Sequence, residues 1–178
     1  MMPYSEMALP DLLDAFASNE LVPGGGSAAA LAGSLGVSLL VMVAGLPRTR
    51  TDSPEEVADL SEASARLRPL RDGLTALIDD GSAASGAALE TMRHCQQALR
   101  GAIVIARSGN RSAGTDTTTA VEILRAGLRS AGMNVEVNLG GLTDADLAAR
   151  VRAERNELLE EGETDAREAL EAALDRAG

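Results

Sequence analysis

The sequence has almost no aromatic residues, one cysteine and no lysine. Its two aromatic rings, Tyr4 and Phe16, cannot fill a core, so the core must consist of closely packed aliphatic side chains and alanines. The single Cys95 excludes an internal disulfide, and the N-terminus lacks the basic and apolar regions of a signal peptide. These absences predict a cytoplasmic protein.

Basic residues are the minority, and all sixteen of them are arginines, against 27 acidic residues and a net charge of −11. Binding to nucleic acid needs a basic surface that neutralises phosphates, so the composition argues against a nucleic acid as the partner. An anionic small molecule would need a local cluster of arginines. Arg48 and Arg50 form one such cluster, which either grips an anionic tail or is a solvated turn.

The 178 residues fit a single domain, 1–178, and apolar residues recur at three-four spacing along most of it. Alternating patterns typical of strands are nearly absent. The chain is therefore predicted to fold as an all-α, up-down or orthogonal bundle of about five to seven helices. The three clearest core stripes are Leu60, Ala63, Leu67, Leu70, Leu74 and Leu77; Ala88, Met92, Cys95, Leu99, Ala102 and Ala106; and Ala120, Leu124, Leu128 and Ala131.

Several residues predict where the helices begin and end. Ser53-Pro54-Glu55-Glu56 is typical of a helix start, with serine as N-cap and proline at the first helical position. Pro69 is expected to kink or break the helix that follows. The remaining expectations are a helix end at Gly132, a short strand over Met133–Leu139, an N-cap at Thr143 and an interruption at Gly162.

Residues 21–46 read LVPGGGSAAALAGSLGVSLLVMVAGL and contain three consecutive glycines before an uncharged run. A phosphate-binding P-loop is excluded because no lysine follows the glycines, and a dinucleotide fold is excluded because no strand precedes them. A membrane span needs about 20 apolar residues. The abundance of Ala, Gly and Ser instead favours a central helix buried on all sides, without membrane contact. The glycines are then either a simple tight turn or, with Ser27 as N-cap, an amide-rich ligand site.

Three motifs occur in order along the chain. They are Pro23-Gly24-Gly25-Gly26-Ser27-Ala28-Ala29-Ala30, Gly109-Asn110 followed by Thr115-Asp116, and Asn134-Val135-Glu136-Val137-Asn138-Leu139. Together they resemble the signature of the formiminotransferase-cyclodeaminase/methenyltetrahydrofolate cyclohydrolase family. The resemblance implies an all-helical homodimer with a folate site near the subunit interface. It places Gly24, Gly25, Gly26, Ser27, Asp116, Asn134 and Asn138 around that site.

The chain also departs from the family pattern. Family members carry a lysine-rich segment with a tyrosine where this chain has residues 46–52, so the role of that lysine is either absent or passes to arginine. Asp80 is kept in a segment, Asp80-Gly81-Ser82-Ala83-Ala84, that lacks the family's phenylalanine. Between that segment and Gly109 the chain is expected to be shorter than its relatives by about one helical hairpin.

Opening a folate one-carbon ring requires a proton donor and a group that stabilises an iminium charge. Asp116 is the first candidate for the charge-stabilising catalytic carboxylate and Asp80 the second. Asp116 also precedes Thr117 as an N-cap would, and both roles stay open. Asn134 and Asn138 could hold the amide-like edges of a ligand through paired donors and acceptors.

The remaining reactive residue types point to structure. His94 is expected to be a partly exposed group near Glu90, and Cys95 a small core residue. No cluster has metal-ligand spacing, so neither a metal nor a cofactor is expected, and a tetrahydrofolate derivative is a candidate substrate. The leading prediction is a hydrolase or ammonia-lyase acting at a C–N bond of an amidine- or iminium-like carbon. The alternatives are a homologue acting on a non-folate imine and a non-catalytic helical dimer.

Overall fold

The computed structural model describes residues 2–80 and 85–174. Within these ranges the chain forms six α-helices and no strand, which confirms the all-α prediction. Short 3-10 turns lie at Tyr4–Glu6 and Arg111–Ala113. The helices are α1 (Leu9–Phe16), α2 (Gly25–Ala44), α3 (Pro54–Asp80), α4 (Ser85–Ser108), α5 (Gly114–Leu139) and α6 (Ala145–Leu174).

The five long helices run alternately up and down. Helix α2 packs against α3, α4 and α5, and α6 packs against α4 and α5. Where α2 meets α3, the hydroxyls of Ser34 and Thr75 are 2.8 Å apart. Where α5 meets α6, Arg125 and Arg129 both bind Glu163. Helix α2 therefore lies at the centre of the α3–α4–α5 side and makes no close packing with α6.

The core consists of small and aliphatic side chains, as the missing aromatic residues predicted. All the stripe residues of α4 and α5 are buried, and the α3 stripe is buried at four of its six positions. The core is filled by helices that approach each other closely and not by large side chains. A Cβ on Gly36 of α2 would lie 2.7 Å from Cγ of Leu124 and 3.0 Å from the carbonyl oxygen of Ala120 on α5. The absence of that Cβ lets α2 and α5 approach each other closely.

Two glycines predicted to end or interrupt helices lie inside them. Helix α6 passes unbroken through Gly162, where an added Cβ would lie 2.3 Å from Cδ2 of Leu128. Helix α5 passes through the buried Gly132, which faces Met92 and Leu159. Both predictions are wrong because these glycines make room for a neighbouring side chain instead of turning the backbone.

The predicted strand over Met133–Leu139 is also wrong, because these residues form the last two turns of α5. Val135 and Leu139 continue the buried stripe of the helix, which explains why the helix does not stop.

Helix α3 continues through Pro69, so the proline does not break the helix there. Pro69 is exposed and lies away from the core.

The N-cap predictions give mixed results. Ser53 is confirmed, since its Oγ accepts a hydrogen bond from the backbone N–H of Glu56 at 3.2 Å. The prediction of Thr143 as an N-cap is wrong. Oδ1 of Asp144 accepts a hydrogen bond from the backbone N–H of Leu147 at 3.0 Å, so Asp144 caps α6. The carboxylate of Glu56 accepts hydrogen bonds from Thr49 and Thr51, which lower its pKa.

Helix α2 is not buried on all sides. By length and composition it is the one helix in the described ranges that could cross a membrane, and 44% of its most apolar window is buried inside the bundle. One face, which includes Val37 and Leu40, is fully buried. The opposite face is open, with Leu35 51% and Met42 41% exposed. The prediction of complete burial is therefore wrong for this outer face.

Candidate functional site

The predicted site residues lie at opposite ends of α2, which at 20 residues is about 30 Å long. Gly24–Ser27 lie at its N-terminus, and Arg48 and Arg50 follow its C-terminus. On α5, Asp116 and Asn134 are 18 residues apart, or about 27 Å, so they also lie at different ends. We call these two regions the glycine end (Gly24–Ser27, Asn134 and Asn138) and the arginine end (Arg48, Arg50 and Asp116).

The glycine end presents unpaired backbone amides. Gly24 occupies the N-cap position with extended backbone, and the first helical hydrogen bond runs from the N–H of Ala28 to the carbonyl of Gly24 at 3.0 Å. The N–H groups of Gly25, Gly26 and Ser27 therefore have no partner within the helix. They carry the positive end of the dipole of a 20-residue helix, so this end attracts an oxygen atom that bears negative charge.

Asn134 lies directly beside these amides. A Cβ on Gly25 would lie 3.6 Å from both Oδ1 and Nδ2 of Asn134. Nδ2 donates a hydrogen bond to the carbonyl of Ser130 at 3.0 Å, which orients the side-chain amide. Asn138, one turn further along α5, is half-buried. The structure thus brings the first and third sequence motifs together, and glycine keeps open the space between them.

Ser27 is not the N-cap that the sequence predicted. It is the third residue of α2 and its side chain turns inward, because the backbone of Gly24 already occupies the cap position. Its Oγ is fully buried and has no hydrogen-bond partner within residues 2–80 and 85–174. A buried, unpaired hydroxyl costs about 1–3 kcal/mol. The glycine end therefore contains an unsatisfied polar atom.

Residues that sequence reasoning missed flank the glycine end. The hydroxyl of Tyr4 donates to the carbonyl of Val22 at 3.2 Å, two residues before Gly24. Ser5 binds both carboxylate oxygens of Asp79. Asp80, the second catalytic candidate, is the exposed last residue of α3, and Gly81–Ala84 of its segment lie outside the described residues.

At the arginine end a backbone hydrogen bond joins the segment after α2 to the last residue of α4. The N–H of Arg50 donates to the carbonyl of Ser108 at 3.0 Å, and Arg48 is exposed. Asp116 is half-buried and is the third residue of α5. It is therefore not an N-cap, although its charge suits the first turn of the helix. The side chain of Asn110 accepts a hydrogen bond from the backbone N–H of Ser112 at 2.9 Å and so caps the 3-10 turn Arg111–Ala113, which lies before α5.

His94 and Cys95, both on α4, have the burial that the sequence predicted: Cys95 lies in the core and His94 is partly exposed. Burial raises the pKa of the Cys95 thiol to about 12, so it stays protonated and cannot act as a nucleophile at neutral pH. His94 has a side chain that is 18% exposed, and its Nδ1 lies 2.8 Å from the carbonyl oxygen of Glu90. In the part of the chain that the structure describes, no three His, Cys, Asp or Glu residues form a metal-binding group.

Comparison with known proteins assigns the family. The family model described as formiminotransferase-cyclodeaminase matches residues 8–87 and 81–157. The chain belongs to this family. Methenyltetrahydrofolate cyclohydrolase of Methylorubrum extorquens, strain AM1, is 33% identical over 181 residues, covering 84% of this chain and 87% of that protein. This relationship indicates an enzyme of the hydrolase type.

A solved structure of the family has the same fold. Formiminotetrahydrofolate cyclodeaminase from Thermotoga maritima aligns with a TM-score of 0.76 at 20% identity, covering 96% of each chain. The match confirms a cyclodeaminase-like helical bundle. In the alignment with the Methylorubrum protein, 181 positions take in 84% of the 178 residues of this chain, about 150, so the chain is about 30 residues shorter over that length, as the expected loss of about one helical hairpin requires.

Proposed function

We propose that this member of the formiminotransferase-cyclodeaminase family is a methenyltetrahydrofolate cyclohydrolase. The observation that carries the proposal is the 33% identity, over most of both chains, to a protein of that name. The glycine end supports it, because it combines free amides with the side chain of Asn134 in a space without a competing side chain. The substrate is then a folate whose bridging carbon links two nitrogens as an amidinium.

In the reaction, water adds to the bridging carbon and loses a proton, which gives a neutral tetrahedral adduct. One C–N bond then breaks as its nitrogen takes up a proton, and the carbon becomes a formyl group on the other nitrogen. The free N–H groups at residues 25–27 suit the oxygen on which negative charge develops. The amide of Asn134 can hold a donor–acceptor edge of the ligand, and a carboxylate stabilises the cationic carbon.

We further propose that the protein acts as a homodimer through the outer face of α2. Ala28, Leu35 and Met42 are exposed there at seven-residue spacing, and Met133 and Val137 of α5 are 62% and 77% exposed nearby. Helix α2 carries no charged residue. Because each chain has a net charge of −11, an uncharged face is where a second copy meets the least repulsion.

The residue order on α2 suits a two-fold axis near Leu35, the middle of the helix. Leu35 then meets its own copy, and the small Ala28 faces the larger Met42 of the partner subunit. An antiparallel pair of α2 helices also brings the arginine end of one subunit beside the glycine end of the other. Asp116 and Arg50 would thereby reach a site from which they are about 27–30 Å distant within one chain.

The activity is tested by following loss of the methenyl absorbance of 5,10-methenyltetrahydrofolate with purified protein. We expect hydrolysis above the buffer rate, and a loss of at least about tenfold in Asn134→Ala, as for other polar groups that hold a substrate. Asn156→Ala is the matched control, because Asn156 is exposed on α6. Ammonia release from formiminotetrahydrofolate without hydrolysis would assign a cyclodeaminase instead.

Absence of both activities, with no thermal shift at saturating folate, would reject a folate substrate. That outcome would favour a non-folate imine or a non-catalytic dimer.

The dimer is tested by sedimentation, which should give twice the 18.3 kDa of one chain. Leu35→Asp should yield monomers, since it places two charges at the axis. Leu147→Asp should not, because Leu147 lies 38% exposed on α6, away from the proposed face. A monomeric wild type at micromolar concentration would overturn the dimer.

A further inference from the structure

We propose that the N-terminal 3-10 turn is a clasp that positions the glycine end, with Tyr4, Ser5 and Asp79 as its positioning residues. The kinetic consequence rests on the proposed function. The structural consequence does not, because it concerns how often the segment before the glycines opens in the free protein.

The segment that leads into the glycines, residues 17–23, forms no helix or strand and is mostly exposed. Its backbone is tied to α1 at its start by hydrogen bonds to Leu13 and Ala15. Among the described residues, the bond from the Tyr4 hydroxyl to the carbonyl of Val22 is the hydrogen bond that connects this segment to an element other than α1. Val22 lies two residues before the N-cap of α2, so this bond acts close to the site.

The turn that carries Tyr4 is itself fixed to α3. Ser5 donates from its backbone N–H to Oδ1 of Asp79 at 3.3 Å and from its Oγ to Oδ2 at 2.5 Å. Both carboxylate oxygens of Asp79 are therefore used by one residue 74 positions away. The turn buries none of its residues, so polar contacts and not core packing hold it in place.

These bonds form a continuous connection from the last turn of α3, through Ser5 and Tyr4, to Val22 and the glycines. Segments with few buried contacts open locally at low free energy. Loss of one hydrogen bond therefore raises the open population by about two- to tenfold. Substrate binds the closed arrangement of the amides, so a larger open fraction raises the apparent KM. The chemical step in the bound enzyme, and hence kcat, is little changed.

The test uses Tyr4→Phe, which removes one hydroxyl, and Ser5→Ala, which removes one of the two bonds to Asp79. We expect amide hydrogen exchange over residues 17–27 of the free protein to accelerate by about two- to tenfold in both variants. With substrate, KM should rise by less than the exchange rate does, by up to about fivefold, while kcat stays within about twofold. Ser18→Ala is the matched control, since its hydroxyl accepts only from Glu20 within the same exposed segment.

Unchanged exchange over residues 17–27 in both variants would overturn the clasp. A lower melting temperature with unchanged KM and exchange would also overturn it, because the contacts would then only stabilise the fold. Exchange is measured without substrate. It therefore decides the clasp even if the wild type hydrolyses no folate, an outcome that would count against the proposed function alone.

Discussion

The N-terminal end of α2 carries three glycines and a buried serine, whereas its C-terminal end leads into Arg48, Thr49 and Arg50. At the arginine end the positive charges suit the negative end of the helix dipole, and Glu56 accepts hydrogen bonds from Thr49 and Thr51. At the glycine end, no described side chain binds the first three amides of α2 or the hydroxyl of Ser27. Polar groups that a chain leaves unsatisfied mark where a ligand can stabilise it.

The largest effect should come from closing the glycine end. In Gly25→Val the added side chain fills the space in front of the Asn134 amide, because its Cβ alone would lie 3.6 Å from both terminal atoms of that amide. We expect hydrolysis to fall by at least about 100-fold, the effect of misplacing groups that orient a substrate. The melting temperature should change by only a few degrees, because Gly25 is exposed in the first turn. Steady-state kinetics and thermal melting measure the two quantities.

Gly86→Ala is the control for helix propensity. Gly86 lies in the first turn of α4, and a Cβ there meets nothing within 4 Å. Its activity should match the wild type. Full activity in Gly25→Val would show that the reaction takes place elsewhere in the bundle.

The second prediction asks whether the two ends meet in a dimer. Asp116→Asn should lower activity by about tenfold or more if Asp116 serves the glycine end of the partner subunit. Mixing it with Gly25→Val under conditions of subunit exchange should restore up to about a quarter of the wild-type activity. Half of the dimers are then mixed, and each has one of its two sites intact.

A mixture no more active than its components would show that the glycine end and the arginine end of two subunits do not form one site. Activity of Asp116→Asn equal to the wild type would remove Asp116 from the reaction altogether. Either result would contradict a shared site in which Asp116 serves the glycine end of the partner subunit.

Most of the fold could be predicted from the sequence, because burying one face of a helix requires apolar residues at three-four spacing. The stripe from Ala88 to Ala106 is buried at every position for this reason. Glycines were harder to interpret. In the sequence, Gly132 and Gly162 look like the glycines that end helices. In the structure, the side chains of Leu159 and Leu128 pack against them, which explains why glycine is present and the helices continue.

The candidate site was only partly predictable. The motifs containing Gly25 and Asn134 were recognised, and the structure brings these two residues together. Sequence order carries no distance, so it could not show that Asp116 lies about 27 Å from Asn134 along the same helix. The pairing of Ser5 with Asp79 also left no local pattern, since 74 positions separate the two residues.

The third prediction compares two serines seven positions apart on one face of α2. Ser27 at the glycine end has a buried hydroxyl without a described partner, whereas the hydroxyl of Ser34 lies 2.8 Å from that of Thr75. Ser27→Ala should raise the free energy of unfolding by about 1 kcal/mol, and Ser34→Ala should lower it by about as much. These changes correspond to shifts of about 2–4 °C in opposite directions in thermal melts.

A stabilised Ser27→Ala variant with reduced activity is the expected combination, because groups kept unsatisfied in native proteins are typical of functional sites. Destabilisation by Ser27→Ala would instead show that its hydroxyl has a partner in the folded protein, and the contrast between the glycine end and the middle of α2 would disappear.

The smallest effect should come from the seam between α4 and α6, which lies away from both ends of α2. Asp165 there accepts a hydrogen bond from Gln96 at 3.1 Å and lies 3.6 Å from Arg100, but burial outweighs both contacts and raises its pKa. Because the folded-state pKa of this carboxyl is raised, the unfolded chain ionises first as pH rises. The carboxyl therefore destabilises the fold increasingly from the unfolded value near 3.8 up to the folded-state pKa, fully above that pKa, and not below the unfolded value. Asp165→Asn should therefore raise the melting temperature at pH 7 by about 1–3 °C. The gain over the wild type should vanish by about pH 3.5, below the unfolded-state pKa. A gain that persists at that pH would assign the effect to packing and not to ionisation.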